Sequence, residues 1–267
     1  MLKQQRENHN LRDEKEHKEK IMNNKFTDKF ISDPKNLEFL NSALWGPNGM
    51  RQAEELASHL NIKSNMRVLD LGCGPGLSTL YLVRNHGVEV FAADLYMTPT
   101  ENLERFIKLG IADKAIPMLV DATKDLPFAE RFFDILFSVD AYMHFGFTEG
   151  MLAKMASYVK KGGYIAVAIH GLKKDFNGKV PEEMKRFLDN EEAAEQVRGI
   201  DWWTDLWSKE AGVEIISISE MKCHKQAWEE YLASRNPNKE DEKWDLDMME
   251  AEGGKYYNTI QLIAKVI

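Results

Sequence analysis

Val68-Leu69-Asp70-Leu71 is a short apolar run that stops at Gly72-Cys73-Gly74-Pro75-Gly76 and resumes as the helix-forming stretch Leu77-Ser78-Thr79-Leu80. No other feature narrows the possible folds as much. Positions without a side chain let the backbone come close to a ligand, and the helix that follows offers unpaired N–H groups. Glycine also serves ordinary turns, but three at alternate positions after a buried strand favour a ligand loop. In open α/β sheets, nucleotides bind at such a turn, at the carboxyl end of a central parallel strand.

The rest of the middle section repeats the same texture. Apolar runs at Val88–Ala93, Ile116–Val120, Phe132–Val139 and Tyr164–Ile169 alternate with amphipathic stretches at Ser78–Asn85, Thr100–Leu109 and Thr148–Val159. Runs this short, bounded by Gly, Asp and Asn, read as strands of a parallel sheet covered on both faces. Helices are expected upstream, from Phe26 to Leu60, broken by the turn Trp45-Gly46-Pro47-Asn48-Gly49. Downstream, Pro181–Gln196, Asp201–Ala211 and Trp228–Ala233 read as helices, and Glu214–Met221 and Tyr257–Ile267 as strands. Glu220–Glu252 holds ten Asp/Glu against five Lys/Arg and reads as solvated.

Residues 1–25 are mixed in charge and poor in large apolar side chains, and read as a flexible charged arm. They contain no apolar core of a signal peptide, and no later stretch is long enough to cross a membrane, so a cytoplasmic protein without membrane partners is expected. With Lys+Arg 35 against Asp+Glu 43, the net charge of −8 argues against nucleic acid as a partner. Cys73 and Cys223 are too few and too distant for a disulfide framework or a zinc motif. No metal is expected, since no carboxylate cluster has suitable spacing.

Glycine spacing separates two nucleotide classes. Dinucleotide sites use G-x-G-x-x-G, whereas here the order is G-x-G-x-G, with Leu77 in place of the later glycine. Asp70 lies just upstream, where it can accept from an ammonium group. Asp94 ends the second apolar run, 18 residues after Gly76, and a carboxylate there can take both hydroxyls of a ribose. An NAD-dependent oxidoreductase is therefore disfavoured.

Val68–Leu80 together with Asp94 resembles the cofactor site of class I S-adenosylmethionine (SAM)-dependent methyltransferases, over roughly Met66–His170. The Leu126-Pro127-Phe128 and Phe133-Asp134 pattern is similar to small-molecule enzymes of the ubiquinone/menaquinone and sarcosine/dimethylglycine kinds. The resemblance implies an α/β, Rossmann-like, doubly wound seven-stranded sheet. It would be mostly parallel, with an antiparallel last strand between the fifth and sixth and a helical cap over the carboxyl ends. The implied division is cap helices at 26–65 and a SAM-binding domain at 66–267, with a helical insertion at about 171–211 that joins the cap.

By the same resemblance, Asp70, Gly72, Cys73, Gly74 and Gly76 line the methionine part of the cofactor and Asp94 holds the ribose. Leu95 lies beside the adenine, Asp121 accepts from its amino group, and the Ala122 backbone reads the ring. The stretch from Ser138 to Phe145 faces the methionine moiety and the acceptor. Ser138-Val139-Asp140-Ala141 lacks the N/D-P-P-Y/F pattern of DNA and amide methyltransferases.

Methyl transfer to a small-molecule acceptor, at nitrogen or oxygen, asks the protein mainly for alignment and exclusion of water. A protonated acceptor needs a base. His144 is the candidate, and a helical turn would bring Asp140 to it at i,i+4; a surface or capping histidine is the competing reading. Trp45, Tyr142, Trp203, His224 and Tyr256 are candidates for the acceptor pocket, with core packing as the alternative for each. A SAM-binding sensor without catalysis stays open, as do monomer and homodimer.

Overall fold

The computed structural model describes residues 25–188, 197–235 and 240–267. Residues 1–24 of the expected arm and 189–196 of the expected Pro181–Gln196 helix lie outside them. A boundary between Ser42 and Ala43 divides the chain into two compact units. In the smaller, helix α1 (Phe26–Ser32) leads through a 3-10 turn, Pro34–Asn36, into α2 (Leu37–Ala43). Phe30 stacks on Phe26 and meets Phe39 edge-on, and Asp33 caps the turn by accepting from the Lys35 amide.

The larger unit is built on seven strands: β1 (Arg67–Leu71), β2 (Glu89–Asp94), β3 (Ala115–Leu119), β4 (Phe133–Val139), β5 (Val159–Leu172), β6 (Val213–Glu220) and β7 (Tyr257–Val266). Their order is β3-β2-β1-β4-β5-β7-β6. Pairing is parallel except at β7, which runs antiparallel to both β5 and β6. This is the doubly wound, Rossmann-like sheet expected. Strands β1 and β4 lie side by side at its centre, so the chain switches direction of travel across the sheet there. Such a switch leaves a crevice beyond the strand ends.

The helices are α3 (Gly49–Ala57), α4 (Leu77–Tyr81), α5 (Pro99–Lys108), α6 (Met151–Ser157), α7 (Ile200–Ser208), α8 (His224–Ala233) and α9 (Glu240–Glu252). A π-helical turn, Leu82–His86, continues α4, and 3-10 turns span Tyr142–His144 and Glu182–Phe187. Thr98 and Glu101 form a reciprocal capping box at the start of α5. Two sequence readings need revision. Glu220–Glu252 is not simply solvated: α9 packs Met248, Met249 and Ala251 against Leu172, Met184, Phe187 and Tyr257. Buried Glu252 then accepts from the Gly254, Tyr256 and Tyr257 amides. Trp203, a candidate for the acceptor pocket, instead takes its alternative role of core packing: with Trp207 of the same helix it is buried among strand side chains.

Helix α3 is clamped to α8. The Glu230 carboxylate accepts from Arg51 Nε at 2.9 Å and from Asn48 Nδ2 at 2.7 Å, while the Asn48 amide donates to Ala227 O at 3.0 Å. Arg51 is 3% exposed. Removing the carboxylate that faces a buried guanidinium is strongly destabilising. Glu230→Ala is therefore expected to cost about 2–3 kcal/mol in urea unfolding, against under about 1 kcal/mol for Glu229→Ala, whose side chain reaches the exposed Lys225.

Candidate functional site

The crevice at the carboxyl ends of β1 and β4 opens into a cavity of about 570 Å³, within the range of small-molecule sites. Five pieces of chain wall it: the glycine loop, the end of β2, the end of β3, residues 139–145 after β4, and residues 43–49.

The three loop glycines have left-handed backbones, with φ of 78°, 51° and 95° at Gly72, Gly74 and Gly76, but for different physical reasons. A Cβ on Gly72 would lie 2.2 Å from the Ala141 Cβ, and one on Gly76 would lie 2.5 Å from Phe106 Cε1. Both glycines are packed against protein. A Cβ on Gly74 meets nothing within 4 Å, so this glycine faces the cavity. The Gly72 and Cys73 amides donate to Ala93 O, and the Gly74 amide donates to Asp94 Oδ2 at 2.8 Å.

Asp94 lines the cavity at 8% exposure. Its Oδ1 accepts from the Tyr96 and Met97 amides at 2.8 and 3.0 Å. One carboxylate thus ties the end of β2 to the glycine loop. Leu95 and Tyr96 lie beside it, Tyr96 at 80% exposure. After β3, Asp121 accepts from the Thr123 amide and hydroxyl, which hold its carboxyl below the usual carboxylate range. Asp121, Ala122 and Thr123 also line the cavity.

Other expected site residues lie elsewhere. Asp70 is fully buried behind the loop, where Oδ2 accepts from the Ser78 and Thr79 hydroxyls at 2.7 and 2.6 Å. Burial raises its carboxyl to about 6 despite those two donors. It fastens α4 to β1 and is absent from the cavity wall, as are Gly76 and Ser138, whose hydroxyl donates to Leu71 O. Tyr142 and Trp203 pack together in the core, their rings 6.1 Å apart. His224 pairs with the Thr259 hydroxyl, and Tyr256 donates to Glu183. Of the five acceptor-pocket candidates, only Trp45 lines the cavity, at 58% exposure. Cys73 lines it too, with its thiol pushed well up by burial and the nearby Asp70 and Asp94.

Asp140 and His144 both line the cavity but do not form a pair. Asp140 has φ of 56°, so the chain turns sharply before a 3-10 turn starts at Tyr142, and no α-helical turn spans 140–144. His144 is exposed. Asp140 Oδ1 is sealed from solvent and has no hydrogen-bond partner among the described residues. Burial lifts its carboxyl to about 7, partly offset by the His170 backbone amide. Sequence reasoning gave Trp45 a place in the acceptor pocket and the rest of the turn at 45–49 no role, yet Gly46 faces this carboxylate: a Cβ there would lie 3.2 Å from Oδ2. Nothing local in the sequence links that turn to β4. The roles of Ser78 and Thr79 were discoverable, because two hydroxyls directly after the loop are natural donors to a buried acid. Among the described residues, no cluster of three or more His, Cys, Asp or Glu could hold a metal ion.

Two outcomes follow. Gly72→Ala and Gly76→Ala should each cost about 2 kcal/mol or more in denaturant unfolding, and Gly74→Ala only about 1 kcal/mol; equal costs would contradict the packing described. The second concerns pH. A carboxyl raised in the folded state ionises first in the unfolded chain, so it withdraws stability as pH climbs from about 4 to about 7. Asp140→Asn should therefore gain stability over wild type by about 2–3 kcal/mol more at pH 8 than at pH 5. The same trend from Asp70 is common to both proteins and cancels.

A family model described as a methyltransferase domain matches residues 69–167. Among curated proteins, the chain is 30% identical over 121 residues to the methyltransferase GfsG of Streptomyces halstedii, covering 45% of this chain and 43% of that one. It is 31% identical over 104 residues to a sarcosine/dimethylglycine N-methyltransferase of Aphanothece halophytica, covering 39% and 37%. The matched stretch thus spans less than half of either relative. Among solved structures, geranyl diphosphate C-methyltransferase of Streptomyces coelicolor A3(2) superposes with a TM-score of 0.64 at 16% identity, covering 90% of this chain and 88% of that one. The cyclase SpnF superposes with a TM-score of 0.63 at 16% identity, covering 81% and 80%. At such identities the superpositions speak for the fold alone. The domain match at the glycine loop and the strand order of the sheet agree: residues 69–167 match a methyltransferase domain, and they lie within a sheet of Rossmann-like order.

Proposed function

We propose that the protein transfers a methyl group from SAM to nitrogen or oxygen of a small molecule. The observation that carries this reading is the Gly74 face of the loop. There the backbone meets open cavity instead of protein, next to a carboxylate anchored by three backbone amides. In this reading Gly72, Cys73 and Gly74 cradle the amino-acid end of the cofactor and Asp94 takes the ribose hydroxyls. Leu95, Asp121 and Ala122 surround the adenine. Asp70, Gly76 and Ser138 act one layer further out, by holding the loop and β4 in position.

SAM supplies a methyl group already activated by its sulfonium, so the protein's part is to align the acceptor and keep water away. Residues 43–49 and 139–145 form the acceptor side of the cavity. In this reading His144, itself exposed in the cavity wall, accepts a proton from an acceptor that arrives protonated. The fold does not by itself dictate chemistry, as the cyclase among the structural neighbours illustrates.

Calorimetry with S-adenosylhomocysteine is the direct test. Wild type should bind it. Gly74→Leu, whose side chain would project into the cavity, should lose binding by at least about a hundredfold while still unfolding cooperatively. Absence of heat with natively folded wild type would remove the reading, and full affinity in Gly74→Leu would remove the cradle.

A further inference from the structure

Resting on the methyl-transfer reading, we propose that Asp140 is the group that selects the acceptor, pairing with a positively charged amine that carries no phosphate or carboxylate of its own. Three observations converge. First, Asp140 lines the cavity, yet its Oδ1 is buried and meets no donor among the described residues. Buried polar atoms in native proteins are nearly always satisfied, so an orphan in a cavity wall marks the place of a ligand donor. Second, Asp140 is held there against backbone preference. Its φ of 56° is a left-handed conformation uncommon for residues other than glycine, and the space its Oδ2 occupies exists because position 46 opposite carries no side chain. Strain of this sort concentrates at functional sites.

Third, the charges of the wall are one-sided. Among the described residues lining the cavity, Asp94, Asp121 and Asp140 are acidic, and none is Lys or Arg. Asp94 and Asp121 are already engaged by backbone amides and, for Asp121, the Thr123 hydroxyl as well. A phosphorylated or carboxylated acceptor would enter a wall offering no cation, while an ammonium finds an unpaired carboxylate. Trp45 and Phe145, also in the wall, present aromatic rings to which a cation is attracted. Burial favours the neutral form of the Asp140 carboxyl, and an ammonium beside it favours the charged form. His170, whose amide faces Asp140, has its imidazole held neutral by burial and does not supply the missing cation.

The test uses the full chain loaded with S-adenosylhomocysteine, and calorimetry with two probes, dimethylaminoethanol, protonated at neutral pH with an N–H to donate, and its neutral carbon isostere 3-methylbutanol. Wild type should prefer the amine by roughly tenfold or more. Asp140→Asn should bind S-adenosylhomocysteine as wild type does and lose that preference. The amine no better than its isostere in wild type, including failure of both to bind, overturns the proposal without any variant. So does a preference that survives Asp140→Asn. Loss of S-adenosylhomocysteine binding in Asp140→Asn would assign the carboxylate to the cofactor and also overturn it. Failure of wild type to bind S-adenosylhomocysteine is a separate result, and it counts against methyl transfer itself.

Discussion

The contact between Gly72 and Ala141 sets the geometry of everything around it. Strands β1 and β4 are neighbours in the sheet, and the loops leaving their ends approach until the missing Cβ of Gly72 would overlap the Cβ of Ala141. That approach directs the glycine loop outward from the sheet. It also places Asp140 and Ala141 on the opposite wall of the same crevice. With a side chain at Gly72, the loop and the segment after β4 would have to separate, and the crevice would lose its shape.

Around that contact the acidic side chains divide into two kinds of work. Asp70 and Asp94 each satisfy several donors from the protein, one fastening a helix start and the other binding two loops. Their positions make the loop rigid. Asp140 has nothing comparable. Among the described residues its Oδ1, like the Oδ1 of Asp70, has no partner, and a strand amide, that of His170, faces the carboxylate where Asp70 has two hydroxyls. Burying a carboxylate in that state costs free energy. The protein tolerates this at a single point in the cavity wall, where a ligand can offset it.

The frame of the fold was legible because it rests on local patterns. Strands β1 to β4 are short apolar runs with clear punctuation, and the glycine spacing distinguished the ligand class before any geometry was known. Placement of β7 between β5 and β6 came from resemblance, since no local signal encodes strand order. Side-chain direction was less accessible. Trp203, Tyr142 and His224 share composition with pocket linings, yet helix orientation turns each of them into the core or onto a neighbouring strand. The Asp140–His144 pair failed for a related reason: i,i+4 spacing matters only where an α-helix forms, and a left-handed residue prevents one here. The wall at residues 43–49 depends on the distant clamp between Arg51 and Glu230, a relation across 179 positions that no short window of sequence contains.

Because Asp94 Oδ2 holds the Gly74 amide while Oδ1 holds the chain beyond β2, the two halves of the proposed cofactor site are mechanically linked. A sugar that engages this acid also steadies the backbone that greets the amino-acid half. Nucleoside and amino-acid fragments offered as separate molecules would then reinforce each other's binding, and the intact cofactor would exceed the sum of its pieces.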